Sequence, residues 1–307
     1  MIKNFEGLIS VAKKQTMMKL AVAAAQDEDV LIAVCGAAQM GIVKPILVGE
    51  ELRIIEIAKK NNLDISRYEL INKTDIIEAA RTAVELVNAG KADFVMKGLI
   101  DTSILLKAVL DREIGLRTDS LLSHVMVYQV PTYHKLLFMT DGGMNIAPSL
   151  DEKALILKNS VKVAQAMGIE NVKVACLTAK EKVSTKMIAT VDADKLKEMD
   201  TRGEFGEGVI VEGPIAFDLA VSKEAAQTKK FKSEVAGDAD ILIVPVIEVG
   251  NGIGKALTYM ANAESAGIIM GAKAPVVLVS RADSYKAKLN SIALGSVIAA
   301  YQSGETK

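Results

Sequence analysis

The sequence predicts an α/β fold made of two doubly wound, mostly parallel sheets with helices on both faces. Three observations carry this expectation. Short apolar runs suited to buried strands alternate with helix-length segments along most of the chain. The rhythm breaks once, between 118 and 140, where two strand-like runs follow each other without a helix. Finally, 307 residues, 50% of them hydrophobic, suffice for about two domains at roughly 100–200 residues each.

In chain order, MKLAVAAA at 18–25 is the first strand. The carboxylates Asp27, Glu28 and Asp29 then open a helix, where negative charge meets the positive end of the helix dipole. Gly41 suits the position just past that helix. KPILVG at 44–49 is the second strand, 50–61 a helix, 68–72 a strand, and 74–89 a helix opening at Thr74 and Asp75. DFVMKG at 93–98 is a buried strand, followed by helix 101–112. SHVMVYQV and KLLFMTD, separated by PTYH, form a hairpin. Alternation resumes with helix 151–167, strand 172–177, helix 185–199, strand 208–212 and helix 216–235. Strand 240–247, helix 253–266, strand 275–280 and helix 284–302 complete the chain. A domain boundary is expected at the hairpin, with the site in the cleft between the domains.

Composition excludes several classes of function. Thirty-seven Lys and Arg against 38 Asp and Glu leave a formal charge of −1, so no net basic field favours nucleic acid. Aromatic residues, at 4%, offer few platforms for stacked bases. No uncharged apolar run reaches the length of a membrane span. The start, MIKNFEGLISVAKK, lacks the apolar core and cleavage site of a signal peptide. Cys35 and Cys176 are too few for a disulfide framework or a structural zinc site. A soluble cytoplasmic protein acting on small molecules is expected, without nucleic-acid or membrane partners, and its apolar composition favours a homo-oligomer.

Five segments are candidates for chemistry. Strand ILIVPVI runs into Glu248, Val249, Gly250, Asn251, Gly252, Ile253, Gly254 and Lys255, and then a helix. Glycines between a parallel strand and a helix let the backbone approach a ligand, and the helix N-terminus and Lys255 favour an anion. The bland alternative is a tight turn that binds nothing. PVVLVS at 275–280 runs into Arg281, Ala282, Asp283 and Ser284. The chain has only seven Arg, and the guanidinium fork grips phosphate in a way lysine cannot copy. Ser280 adds a hydroxyl, and Asp283 is either a helix cap or a proton acceptor.

VIVEGPIAFDLA places Glu212 and Gly213 at a strand end and Asp218 at a helix start. MTDGGMNIAPSLDEKALI puts Asn145 in a loop ahead of a capping box at Ser149 and Glu152. MKGLIDTS sets Lys97, Thr102 and Ser103 after another strand. Other chemistries lack candidates. His124 and His134 have no metal-ligand spacing, and no GxSxG elbow occurs. Cys35 and Cys176 lie in apolar segments and read as inert core thiols. No metal site is expected.

Together these segments resemble the phosphate acetyltransferase and phosphate butyryltransferase family, over nearly the whole chain. The blocks that carry the resemblance are MTDGGMNIAPSLDEKALI, VEGPIAFDLA, DADILIVPVIEVGNGIGKAL and APVVLVSRADS, in that order. The compact length and the SRADS wording resemble the butyryl branch. The resemblance implies a two-domain fold of the isocitrate/isopropylmalate dehydrogenase type. Residues 1–130 with 272–307 would form the first domain and 131–271 the second. It implies the reaction acyl-CoA + phosphate ⇌ acyl phosphate + CoA, with no bound cofactor and coenzyme A as substrate or product. Ser280 and Arg281 match the family's active-site pair. The acetyl branch usually has SRG and an acid seven residues after the serine. Here those positions are Ala282 and Ala287, which leaves Asp283 as the nearest acid.

The expected catalytic set is therefore Ser280, Arg281 and Asp283. The expected substrate contacts are Lys97, Thr102, Ser103, Asn145, Glu212, Gly213, Asp218, Glu248, Gly250, Asn251, Gly252, Gly254 and Lys255. Two other functions fit the same fold: a metal-dependent hydroxy-acid dehydrogenase, and a sensor that binds acyl-CoA without turnover. The first needs an arginine cluster that the scattered arginines do not supply.

Overall fold

The computed structural model describes residues 1–280 and 283–304. The chain forms two compact units, one of Phe5–Ser120 with the residues from Ala266 on, the other of Met1–Asn4 with Leu121–Ser265. Among the described residues no helix is long and apolar enough to cross a membrane.

The first unit begins with α1 (Phe5–Lys14), β1 (Met18–Ala23), α2 (Glu28–Gln39), β2 (Val43–Gly49), α3 (Glu51–Lys60), β3 (Glu69–Asn72), α4 (Ile76–Asn88), β4 (Phe94–Lys97) and α5 (Thr102–Val109). Local chemistry sets the helix starts. Asp27 caps α2 by accepting from Val30 N, and Asp75 caps α4 by accepting from Glu78 N. Gly41, just past α2, takes a left-handed φ of 76°, as expected of a C′ glycine.

β2 and β4 flank β1 in parallel register, with Ala21 opposite both Ile46 and Val95. The chain therefore winds from β1 outward through β2 to β3, then returns to β1's other side at β4. The carboxyl ends of β1 and β4 form the point where the winding reverses, which is where open α/β sheets bind ligands. Gly98 allows the two chains to meet there. Its N–H donates to Ala23 O at 2.8 Å, and a Cβ would stand 2.2 Å from Ala24 O.

The second unit contains β5 (Ser123–Gln129), β6 (Leu137–Thr140), α6 (Leu150–Ala166), β7 (Val172–Leu177), α7 (Ile188–Thr201), β8 (Val209–Ile215), α8 (Phe217–Val221), α9 (Lys223–Thr228), β9 (Ile241–Ile243) and α10 (Ile247–Met260). β5 and β6 form the expected antiparallel hairpin. β6, β9, β7 and β8 then pair in parallel, in that order. Tyr128, Leu137, Met139, Leu219 and Leu242 pack in the core of this unit. α6 starts at a complete capping box between Ser149 and Glu152.

β10 (Glu264–Met270), β11 (Val276–Val277) and α11 (Tyr285–Ser303) return to the first unit. β11 pairs in parallel with β4 and antiparallel with β10. α11 is buried around its whole circumference from Ala287 to Ala300. Gly295 lets it sit directly on Phe94 and Val277.

The structure corrects several expectations. The helix expected over 216–235 is two short helices that break at Ser222, whose side chain caps α9. The strand expected over 240–247 ends at Ile243, and the helix expected over 253–266 runs from Ile247 to Met260. The residues after it form β10, a strand the sequence pattern did not disclose. The two units divide after Ser120, ahead of the β5–β6 hairpin, and at Ala266.

Candidate active site

A cavity of about 570 Å³ opens in the first unit at the reversal point between β1 and β4. Its wall combines residues after β1 (Gln26, Asp27), at and after the end of β4 (Lys97, Gly98, Leu99) and after β11 (Val279, Ser280) with Arg53 and Lys60 of α3 and Lys288 of α11. Two expected site residues, Lys97 and Ser280, thus share one cavity although they lie far apart in sequence. Thr102 and Ser103 open α5 beyond the cavity wall, Ser103 exposed and Thr102 partly buried.

The backbone around Ser280 is held by its own acid. Ser280 N donates to Asp283 Oδ2 at 2.7 Å, and Asp283 N donates to Ser280 O at 3.1 Å. Ser284 then caps α11 by accepting from Ala287 N. Two hydrogen bonds therefore tie Ser280 to Asp283, just ahead of a buried helix. Arg281, the third member of the expected catalytic set, lies outside the described residues. Lys97 is buried, and its Nζ donates to Ile100 O at 3.0 Å and Gly98 O at 3.3 Å.

The remaining expected contacts belong to the second unit. The glycine segment is not a loop. Glu248, Gly250, Asn251, Gly252, Gly254 and Lys255 all lie within α10, and none of these glycines takes a positive φ. Gly250 and Gly254, four residues apart, face inward. A Cβ at Gly250 would stand 2.7 Å from Gly142 Cα, and one at Gly254 would stand 2.4 Å from Tyr128 Oη. Their role is close helix packing. Gly252 faces open space, Glu248 is exposed, and the Lys255 ammonium lies 5.8 Å from the centre of the Tyr259 ring. Asn251 Nδ2 donates weakly to Gly142 O at 3.4 Å.

Glu212 pairs with Lys197 at 2.6 Å and Asp218 with Lys229 at 2.8 Å. The Lys229 hydrogen bond holds the Asp218 carboxyl below its ordinary range. Gly213 packs on Cys176 and Ala193, where a Cβ would come within 2.8 Å. Asn145 Nδ2 donates to Asp141 Oδ2 at 2.6 Å and Leu122 O at 3.0 Å.

Asp141 was not among the expected residues. It is buried, and it also accepts from the main-chain N–H groups of His124, Gly143 and Met144. A carboxylate with four donors organises the loop after β6, and the DGG wording was its only sequence signal.

Burial raises the Cys35 thiol to about 11 and pushes the Cys176 thiol up further, so neither is a thiolate at neutral pH. Among the described residues no three His, Cys, Asp or Glu side chains converge as a metal site.

A family model described as phosphate acetyl/butaryl transferase matches residues 4–78 and 73–296 of the chain. Phosphate butyryltransferase from Clostridium acetobutylicum is 49% identical over 299 residues, covering 97% of this chain and 99% of that protein. Phosphate acetyltransferase from Thermotoga maritima is 44% identical over 294 residues, covering 96% and 99%. The crystal structure of a branched-chain phosphotransacylase from Enterococcus faecalis matches with a TM-score of 0.80 at 33% identity. It covers 92% of this chain and 99% of that one.

Proposed function

The chain belongs to the phosphate acetyl/butaryl transferase family, and from that premise we propose that it transfers a short-chain acyl group, butyryl foremost, between coenzyme A and inorganic phosphate. The observation that carries the proposal is a likeness to a phosphate butyryltransferase that runs through both units of the chain. The dehydrogenase and sensor alternatives are not favoured, since the similar proteins are phosphate acyltransferases.

In the proposed reaction both substrates are bound together. A phosphate oxygen attacks the thioester carbonyl carbon, and the carbonyl electron pair moves onto oxygen. Collapse of that oxyanion expels the sulfur of coenzyme A, leaving acyl phosphate. Positioning supplies most of the rate. We assign the phosphate grip to Arg281 together with Lys97, the last residue of β4. Ser280 then donates to the oxyanion. In the reverse direction the thiol of coenzyme A must lose a proton, and Asp283 is assigned to take it. Thr102 and Ser103, at the N-terminus of α5, suit an anionic part of a substrate.

The proposal places the enzyme in the cytoplasm as a homo-oligomer. Large exposed apolar side chains on α10, Tyr259 at 67% and Met260 at 85%, support self-association. Phosphorus NMR tests the reaction itself. Butyryl-CoA and phosphate with the enzyme should give a new acyl phosphate resonance as inorganic phosphate declines. Loss of thioester without any new phosphorus species would mean hydrolysis and would refute the proposal.

A further inference from the structure

Three lysines are buried among the described residues, Lys97, Lys153 and Lys288. Lys153 is matched by the Asp192 carboxylate at 2.7 Å. The other two line the cavity that Ser280 shares. Lys288 is 2% exposed, on a helix buried all round. Its one ion-pair partner among the described residues, Asp29 Oδ2, stands at 3.6 Å and belongs to a side chain 67% exposed. Burying an ammonium with so little compensation works against folding. Its place in the cavity wall gives that burial a function.

The contacts of Lys288 lead straight to the serine. Its Nζ donates to the main-chain oxygen of Asp283. The Asp283 carboxylate holds Ser280 N, and Asp283 N donates back to Ser280 O. Lys288 thus ties the turn that presents Ser280 to the rigid helix behind it.

We infer that Lys288 is a positioning residue for acyl transfer. It holds Asp283, and through it Ser280, and sets a basic side chain in the wall of the cavity assigned to the phosphate dianion. The inference rests on the acyl-transfer reading of this cavity.

Lys288→Met keeps the aliphatic stem and removes the ammonium. The substitution also leaves the Asp283 main-chain oxygen without its donor, which lowers stability. A purely structural lysine would therefore lower the Tm without raising the KM for phosphate above that for butyryl-CoA. The expected result is a KM for phosphate raised at least about tenfold, with the KM for butyryl-CoA within about twofold. Lys288→Arg, which keeps charge and donor, should recover most of the loss. Wild-type phosphate kinetics in folded Lys288→Met would overturn the inference, as would an equal rise in both KM values.

If circular dichroism shows Lys288→Met unfolded, Lys288→Gln is measured in the same way. Two unfolded variants would make Lys288 a core residue and overturn the inference too. Thermal shift with inorganic phosphate alone separates this test from the reaction. Phosphate should raise the Tm of the wild type and not that of Lys288→Met, whether or not the wild type releases thiol. A wild type without thiol release refutes the proposed reaction; equal phosphate shifts in both proteins refute the role of Lys288.

Discussion

The carboxylate of Asp283 accepts the main-chain N–H of Ser280 at 2.7 Å, so the acid nearest the serine is built into the turn that presents it. Asp283→Asn keeps an acceptor for that N–H and removes the capacity to take a proton. With the acid as base for the thiol, the variant should keep its Tm and lose about 100-fold in turnover in both directions. Near wild-type turnover would confine Asp283 to holding the turn.

Arg281 follows Ser280 directly in the sequence. A guanidinium gripping phosphate contributes roughly 1.5–3 kcal/mol for hydrogen bonds to a charged group, about ten- to a hundredfold in binding. Arg281→Ala should raise the KM for phosphate by that factor and leave that for butyryl-CoA unchanged. Unaltered phosphate kinetics in the folded variant would remove Arg281 from the site.

The glycines of α10 separate packing from ligand contact. Gly250→Ala drives a Cβ into the backbone at Gly142, 2.7 Å away, and should cost about 1–3 kcal/mol of stability. Gly252→Ala meets nothing within 4 Å and should gain about 1 kcal/mol from helix propensity alone. Thermal melts check both. A large loss of activity in stable Gly252→Ala would show that this helix surface meets substrate.

Asp238 joins an ion network at the amino ends of the second unit's strands, with Lys173 Nζ at 2.6 Å, His134 Nε2 at 2.7 Å and Lys135 Nζ at 3.2 Å. Burial would raise its carboxyl, but hydrogen bonds from Lys173 and His134 and the charge of Lys135 hold it well below the usual range. A folded-state value depressed below the unfolded one, near 3.9, stabilises above that pH and loses its effect as the pH falls further. Asp238→Asn should therefore lower stability at pH 7 by about 2 kcal/mol. Its deficit relative to wild type should shrink below about pH 4. A deficit independent of pH would contradict this assignment.

Much of the fold was legible because its signals are local. Asp27, Asp75, the Ser149–Glu152 box and Ser284 each cap a helix through a neighbour three residues on. What failed depended on distant partners. Glycines disfavour a helix taken alone, yet Gly250 and Gly254 sit in α10 because Gly142 and Tyr128 approach it there. At the site, Lys97 ends β4 as the pattern indicates, whereas the strand expected over 275–280 is only Val276–Val277 and Ser280 lies three residues beyond it. Lys288 lies in the first turns of an apolar helix, and only the tertiary fold brings it to the same cavity.

The central claim is tested most directly by release of free thiol from butyryl-CoA, with and without inorganic phosphate, in the presence of a chelator. The predicted result is release that requires phosphate and resists the chelator. Two buried methylenes, at about 0.8 kcal/mol each, should favour butyryl-CoA over acetyl-CoA by roughly tenfold. Release of equal rate without phosphate, or none at all from folded protein, would contradict it.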